Sequence, residues 1–540
     1  MPKRSVALLA AVLFALSGIM VKLMQLASTP LSDVSGAQST VTVTVARGRG
    51  TIYDRNLNPL TNTGAEYTAA VIAEPEAMAA LSKFLPPLEW EEVNANLQNG
   101  KPVTLTSDTA FPIADGIRQF AVPKRYANRQ TAAHVIGYMK DDGLSGACGI
   151  EKAFDEELGE ASGSITVSYQ TDGRGNVLIG GDVQVSNTLF RADAGIALTL
   201  DSRLQHLAET VAGGMLSKGA TVILDPKSGD VLALASFPGF SPNDLAAYLD
   251  REDSPLFNRA LATYNCGSVF KIVSSLAALE SGVPLTQSFT CAGALTVGEN
   301  RVKCHHILGH GLLDMCSGFA QSCNPYYIQL MQLCGGAPLY RTACLFGFDS
   351  PILLAKGYGT ARAVIPSEQT LSQESVLANV SFGQGDLLAS PIHVAQMTAC
   401  VVNGGYYYRP NLYAGAVDIS GNLTPTETDP PVQVCSASSA ALVKDMMIAV
   451  VENGTGTAAK PKVGGAGGKT GTAQTGWVGE DGETMVQNWF TGFYPANDPQ
   501  YVITVLAEDS GRTGESTAAV FASLCDALYR MGYVQDELGA

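Results

Sequence analysis

The longest unbroken apolar stretch lies at the N-terminus. Met1-Pro2-Lys3-Arg4 precedes a run from Ser5 to Val21 without a charge, and Leu23, Met24, Leu26 and Ala27 extend it past Lys22. A spanning helix needs about 20 apolar residues, and a lysine near its end can reach the headgroups. Residues 5–27 therefore predict a transmembrane anchor. Basic residues before the span and none close behind it put a cytoplasmic tail, 1–4, inside and everything after the span outside. A cleaved signal peptide, with small residues at Ala27-Ser28, is the rival reading. The stretch is longer than a signal h-region usually is, which favours an uncleaved anchor.

Beyond it, Ser28 to Gln38 is polar and reads as a linker, and Val41-Thr42-Val43-Thr44-Val45 alternates as a strand does. The segment from Arg47 to Asn56 is rich in glycine and charge, the pattern of a turn or bulge with paired charges. From there to Asp193 the pattern is mixed, with no compact group of reactive residues. A second unit begins at Gly195. Ile196 to Leu200 reads as a strand, and Asp201-Ser202 caps a helix through Leu204, Leu207, Ala208 and Val211. Thr221 to Leu224 and Val231 to Ala235 form a hairpin about a turn-rich Asp225–Asp230. Trp489 to Tyr494 and Tyr501 to Leu506 are the last strands, and Ser516 to Met531 is a final helix. Strands at both ends of a largely helical middle predict an α+β domain, an antiparallel sheet with helices on its faces.

Length and composition narrow this further. A chain of 540 residues is two to four units at a typical ~150 residues each. With 46% hydrophobic and 16% charged residues it is not a disordered protein. Its 34 Lys+Arg against 50 Asp+Glu give a formal charge of -16, the wrong sign for a nucleic-acid footprint. Eleven cysteines are an odd number, and too few for a disulfide scaffold of this length.

Three short patterns carry candidate chemistry. Ser268-Val269-Phe270-Lys271 precedes an apolar helical face at Ile272, Val273, Leu276, Ala277 and Leu279. If Ser268 starts that helix, Lys271 lies one turn on and on the same side, where a neutral amine can take the serine proton. Alone, the pattern is an N-cap serine followed by a solvated lysine. Ser322-Cys323-Asn324 offers a hydroxyl and an amide two positions apart, before an apolar helix. Lys469-Thr470-Gly471-Thr472 follows four glycines; on a strand Lys469, Gly471 and Ala473 share one face, and Gly471 leaves room for a ligand backbone. Decoys exist at Ser241-Pro242-Asn243, Ser420-Gly421-Asn422 and Lys227-Ser228-Gly229. Order removes the first and third, and Ser420 leads into a polar, proline-rich loop.

The order S-x-x-K, S-x-N, K-T-G is that of penicillin-binding proteins and class A β-lactamases. The chain resembles a monofunctional, class B high-molecular-weight penicillin-binding protein along nearly its whole length. Arg49-Gly50-Thr51-Ile52-Tyr53-Asp54-Arg55-Asn56, Ala132 to Tyr138 and Gly149-Ile150-Glu151 resemble motifs of that family's non-catalytic pedestal. Asn258-Arg259-Ala260, Gly383-Gln384-Gly385, Ser390-Pro391 and Asn403-Gly404-Gly405 resemble segments around its catalytic motifs. The resemblance implies a pedestal at 28–194 and a β-lactamase/transpeptidase-like domain at 195–540. It implies that Ser268 attacks the penultimate D-Ala carbonyl of a stem pentapeptide with Lys271 as base. Ser322 and Asn324 would assist proton transfer and positioning, and Lys469, Thr470, Gly471 and Thr472 would hold the terminal carboxylate. Lys469 would also help keep Lys271 neutral. The backbone N–H groups of Ser268 and Thr472 would form the oxyanion hole. β-Lactams would acylate Ser268, and a polytopic lipid II polymerase would be the partner at the cell membrane. A D,D-carboxypeptidase and a non-catalytic assembly scaffold are the alternatives, and no cofactor is implied.

The sequence departs from the family where Cys266 and Cys323 stand beside the catalytic motifs. Cys304-His305-His306 and His310, flanked by Cys291 and Cys316, could hold zinc, but the spacing fits no standard finger. No metal is therefore assigned, and a Cys291–Cys304 disulfide is expected at an extracytoplasmic address. Cys334, Cys344, Cys400 and Cys525 are expected as core thiols.

Overall fold

A computed structural model describes residues 3–28, 40–141, 143–478, 484–508 and 516–534. Two compact units emerge: Met1–Gly48, Gly64–Lys124 and Ser162–Ala192 form one, and Arg49–Thr63, Arg125–Ala161 and Asp193–Ala540 the other. Two stretches that precede Gly195 thus belong with the larger unit.

Lys3–Ser28 is helical, and its described side chains, 12–25, are exposed. Among the described residues no helix is long and apolar enough to cross a membrane. The span expected at 5–27 therefore finds no support in the fold and rests on the sequence. Apart from Ser28, the expected linker lies outside the described residues.

In the smaller unit, Thr40–Gly48, Gly163–Gln170 and Val183–Asn187 form one antiparallel sheet. Val103–Ser107, Gly64–Val71 and Ile117–Lys124 form a second. Helices Pro75–Phe84 and Pro87–Gln98 each begin on proline, whose fixed φ suits a first turn. They bury Leu81, Val93 and Leu97 against Ala69 and Val71 of the second sheet.

The larger unit is built on five antiparallel strands: β1 (Gly219–Leu224), β2 (Val231–Phe237), β3 (Gly467–Val478), β4 (Thr484–Tyr494) and β5 (Tyr501–Ala507), in spatial order β2-β1-β5-β4-β3. Both faces of β1, β2 and β5 are covered, so these strands read as nearly continuous apolar runs rather than alternating ones. Ile223, Ile503 and Val505 point to one side, against α1 (Ser202–Gly213) and the last helix, Thr517–Arg530. Val222, Leu224, Val502 and Leu506 point to the other, towards α2 (Lys271–Glu280), α3 (Asn324–Cys334), α4 (Pro391–Val402) and α5 (Ala437–Asn453). The Asp201 side chain accepts from the N–H groups of Arg203 and Leu204, the cap expected for α1. Thr398 of α4, Thr491 of β4 and Thr504 of β5 are buried and join hydroxyl to hydroxyl at 2.7 and 2.8 Å.

The glycine- and charge-rich segment before β1 does pair its charges, but in the interior. Arg49 is 8% exposed, and its Nε meets the fully buried Glu151 carboxylate at 2.9 Å. Glu151 also accepts from Arg125 Nε and the Tyr126 hydroxyl, at 2.8 and 3.0 Å. Removing one partner of a buried pair strands the other charge. Glu151→Ala is expected to lower stability by about 3–5 kcal/mol, read from denaturant unfolding; an unchanged midpoint would show that Asp155, 2.7 Å from Arg49 Nη2, suffices as its partner.

Candidate active site

The three catalytic candidates arrive from three elements of the larger unit. Ser268 sits in a 3-10 turn, Gly267–Phe270, that runs directly into α2 at Lys271. The sequence had Ser268 opening the helix itself. The tighter turn has three residues per turn, so positions 268 and 271 eclipse. Lys271 Nζ consequently lies 2.9 Å from Ser268 Oγ. Ser322 follows the helix Met315–Ala320 and takes a φ of +50°, an uncommon value for a side-chain-bearing residue. Asn324 opens α3, with Pro325 behind it. Lys469 lies on β3 with Gly471 and Ala473 on its buried face, while Thr470 is half-buried and Thr472 exposed.

These groups form one hydrogen-bonded cluster. Lys271 Nζ also lies 2.7 Å from the Ser322 carbonyl, 3.1 Å from Ser322 Oγ and 2.7 Å from Asn324 Oδ1. Lys469 Nζ donates to Ser322 Oγ at 2.9 Å and to the Thr470 carbonyl at 3.1 Å. Ser322 Oγ is thus shared by two lysines that are both 0% exposed. Burial, with the Lys469 charge added to it, pulls Lys271 well below the usual lysine range. Burial brings Lys469 down to about 7. The Tyr327 ring lies 5.5 Å from Lys271 Nζ and the Phe319 ring 5.6 Å from Lys469 Nζ, an aromatic lining that partly compensates a charge.

Close backbone packing sets the serine's position. Gly267 N donates to the Gly383 carbonyl at 2.8 Å. At Gly383 φ is +84°, and a Cβ there would fall 1.9 Å from the Gly267 carbonyl oxygen, so only glycine fits. Gly471 lets β3 approach the serine turn: a Cβ would meet the Cys266 carbonyl oxygen and Val269 Cγ1, each at 3.0 Å. Trp489 Nε1 donates to the Asn265 carbonyl at 2.9 Å, fixing β4 to the strand before the serine.

All eight predicted site residues lie on this cluster or on the adjoining β3 edge. The decoys lie elsewhere: Lys227 is exposed and pairs with Asp498 at 3.1 Å, and Asn243 Nδ2 donates to the Tyr126 and Ala127 carbonyls. Sequence reasoning missed Thr455, 2.9 Å from the Thr470 hydroxyl, and Asn488, which accepts from Thr472 Oγ1 at 3.1 Å. Asn488 stands opposite Thr472 in the β3–β4 register, so a polar residue before Trp489-Phe490 was its signal. Gln384, quoted only as part of a motif, reaches the Thr472 carbonyl at 3.5 Å.

The cysteine expectations need correction. Cys291 and Cys304 are not joined; every cysteine is a free thiol. Their sulfurs instead lie in a group with His310 and Cys323. Cys400 and Cys525 are buried as expected, but Cys334 and Cys344 are only half-buried.

The family model described as the penicillin binding protein transpeptidase domain matches residues 219–526, which hold every group in the cluster. The chain belongs to the penicillin-binding protein transpeptidase family. Stage V sporulation protein D of Bacillus subtilis (strain 168) is 30% identical over 414 residues, covering 74% of this chain and 62% of that protein. The chain thus spans under two thirds of that relative's length. The D,D-transpeptidase domain of a peptidoglycan glycosyltransferase from Eggerthella lenta has a TM-score of 0.64 at 26% identity, covering 90% of this chain and 99% of that one. Penicillin-binding protein 3 from Mycobacterium tuberculosis, complexed with aztreonam, shares the fold at a TM-score of 0.66 and 24% identity, covering 92% and 98%.

The lowered pKa of Lys469 leaves a mark on stability. Between pH 7 and the free lysine value of about 10.4, the unfolded chain carries a proton on residue 469 that the folded chain lacks. Stability therefore rises with pH in that window, by up to about 1.4 kcal/mol per pH unit for one lysine. Lys469→Met should flatten that rise between pH 7 and 9; parallel pH slopes in wild type and variant would mean that Lys469 is not neutral when folded.

Proposed function

We propose that this chain is a serine D,D-transpeptidase that cross-links peptidoglycan stem peptides. The observation that carries the reading is the Ser268–Lys271–Ser322–Lys469 cluster: a half-buried hydroxyl within 2.9 Å of an amine that burial and a second cation keep neutral. Ser268 Oγ attacks the penultimate D-Ala carbonyl while its proton passes to Lys271. Ser322, hydrogen-bonded to both lysines, relays that proton to the departing D-Ala nitrogen. The amine of a second stem attacks the resulting ester, loses its proton along the same path, and frees Ser268. Asn324 holds Lys271 in place, and Lys469, Thr470 and Thr472, with Gly471 as the space between them, bind the terminal carboxylate. β-Lactams enter the first half of this sequence and remain as the ester; a protein of the related fold has been solved in complex with aztreonam.

The reading extends to placement. We take 5–27 as a single-pass anchor that puts 28–194 and 195–540 on the wall side of the membrane, with a polytopic lipid II polymerase as partner. The support is the charge-free run Ser5 to Val21, its basic flank, and the exposed Leu13, Phe14, Leu16, Ile19 and Val21 of the N-terminal helix.

A labelled penicillin tests the nucleophile: wild type is labelled and Ser268→Ala is not, and labelling of that variant would remove Ser268 from the role. With a pentapeptide and amine acceptors, a cross-linked product is expected; hydrolysis alone would indicate a carboxypeptidase. The acylation rate should follow a bell in pH. Its acid limb is protonation of Lys271, and its alkaline limb, beginning near pH 7, is loss of the Lys469 proton that faces the carboxylate. A flat profile would exclude this division of labour.

A further inference from the structure

Cys291, Cys304, His310 and Cys323 take no part in the acyl-transfer chemistry, yet their ligand atoms all lie within 4.8 Å of one another. They come from four places. Cys291 ends the strand Phe289–Cys291, Cys304 follows Asn300–Lys303, His310 precedes Gly311–Leu313, and Cys323 caps α3. Pairing of the first and third strands sets Cys291 opposite Gly311, and Cys304 N donates to the Gly293 carbonyl at 2.9 Å. The three cysteines are 2%, 3% and 0% exposed.

A disulfide would use two of the three sulfurs and leave the imidazole without a purpose. The separations fit a metal instead. Cys304 Sγ lies 3.5 Å from His310 Nδ1. Around a tetrahedral zinc ion, bond lengths of about 2.3 Å to sulfur and about 2.0 Å to nitrogen give an S···N edge of roughly 3.5 Å. Three cysteine sulfurs and an imidazole nitrogen gathered within 4.8 Å of one another make the Cys3His donor set of a structural zinc site.

We propose that these residues form a structural Cys3His site for zinc. Four protein ligands close the coordination sphere, so the ion holds structure and does not take part in the reaction. Loading replaces thiol protons, which pass to solvent, and nothing is oxidised or reduced. Cys323 stands between Ser322 and Asn324, the two residues that hold Lys271. The ion therefore ties the catalytic loop to the hairpins carrying Cys291, Cys304 and His310, and Cys323 is a positioning residue.

The full chain, purified under reducing conditions without chelator, should carry one zinc per molecule by elemental mass spectrometry. Cys304→Ser and His310→Ala should lose it, whereas Cys334→Ser and Ser268→Ala should keep it. Ser268→Ala separates this site from the acyl-transfer reading. Should the ligand variants fail to fold, cobalt(II) added to chelator-stripped wild type reports the site directly, through thiolate charge-transfer and tetrahedral ligand-field bands. Stripped protein should take up labelled penicillin more slowly and recover when zinc is returned; an unchanged rate would overturn the positioning role. A zinc-free wild type whose cobalt spectrum is octahedral, unaltered zinc in Cys304→Ser and His310→Ala, or an intact Cys291–Cys304 disulfide in the peptide mass map would overturn the site.

Discussion

Two lysine amines buried on either side of one serine hydroxyl are the constraint from which the rest of the site follows. An ammonium is costly to bury, and two of one sign close together more so, and the cost falls when the amine gives up its proton. That makes a base of Lys271. It also demands an enclosure that keeps water out and supplies acceptors in the right places: the Ser322 carbonyl, Asn324 Oδ1 and the Thr470 carbonyl, with the Tyr327 and Phe319 rings as walls. The helices around the site pack into the core that encloses it.

Rigidity comes from backbone meeting backbone. The turn that carries Ser268 is pinned between the Gly383 loop and β3, and in each direction the contact is closer than a side chain permits. The five-stranded sheet, covered on both faces, is a stiff wall against which that turn is pressed.

What could be read from the residues depended on how far apart the interacting groups stand. Ser268 and Lys271 are three positions apart, and the geometry of one turn joins them. Ser322 and Lys469 were legible by their order along the chain, and the strands flanking them by their apolar runs. Contacts fixed by tertiary packing were not legible. Arg49 meets Glu151 across about a hundred residues, with no local pattern to announce it. Asn488 and Thr455 needed the register of β3 and its neighbours. The cysteines were misread for a related reason: loop closure brings Cys291 and Cys304 together, but Cys323 arrives on a different element, and a pairwise rule cannot anticipate a third thiol.

The buried threonines between α4 and the sheet have a direction. Thr398 Oγ1 gives its hydrogen to the Val394 carbonyl at 3.1 Å, inside its own helix. Thr491 must then donate to Thr398, and Thr504 to Thr491, because each hydroxyl owns a single hydrogen. The row works as a key between helix and sheet. Sliding α4 by one residue, or reversing one link, leaves a hydroxyl in the core with nothing to receive it, so the helix has a single seating.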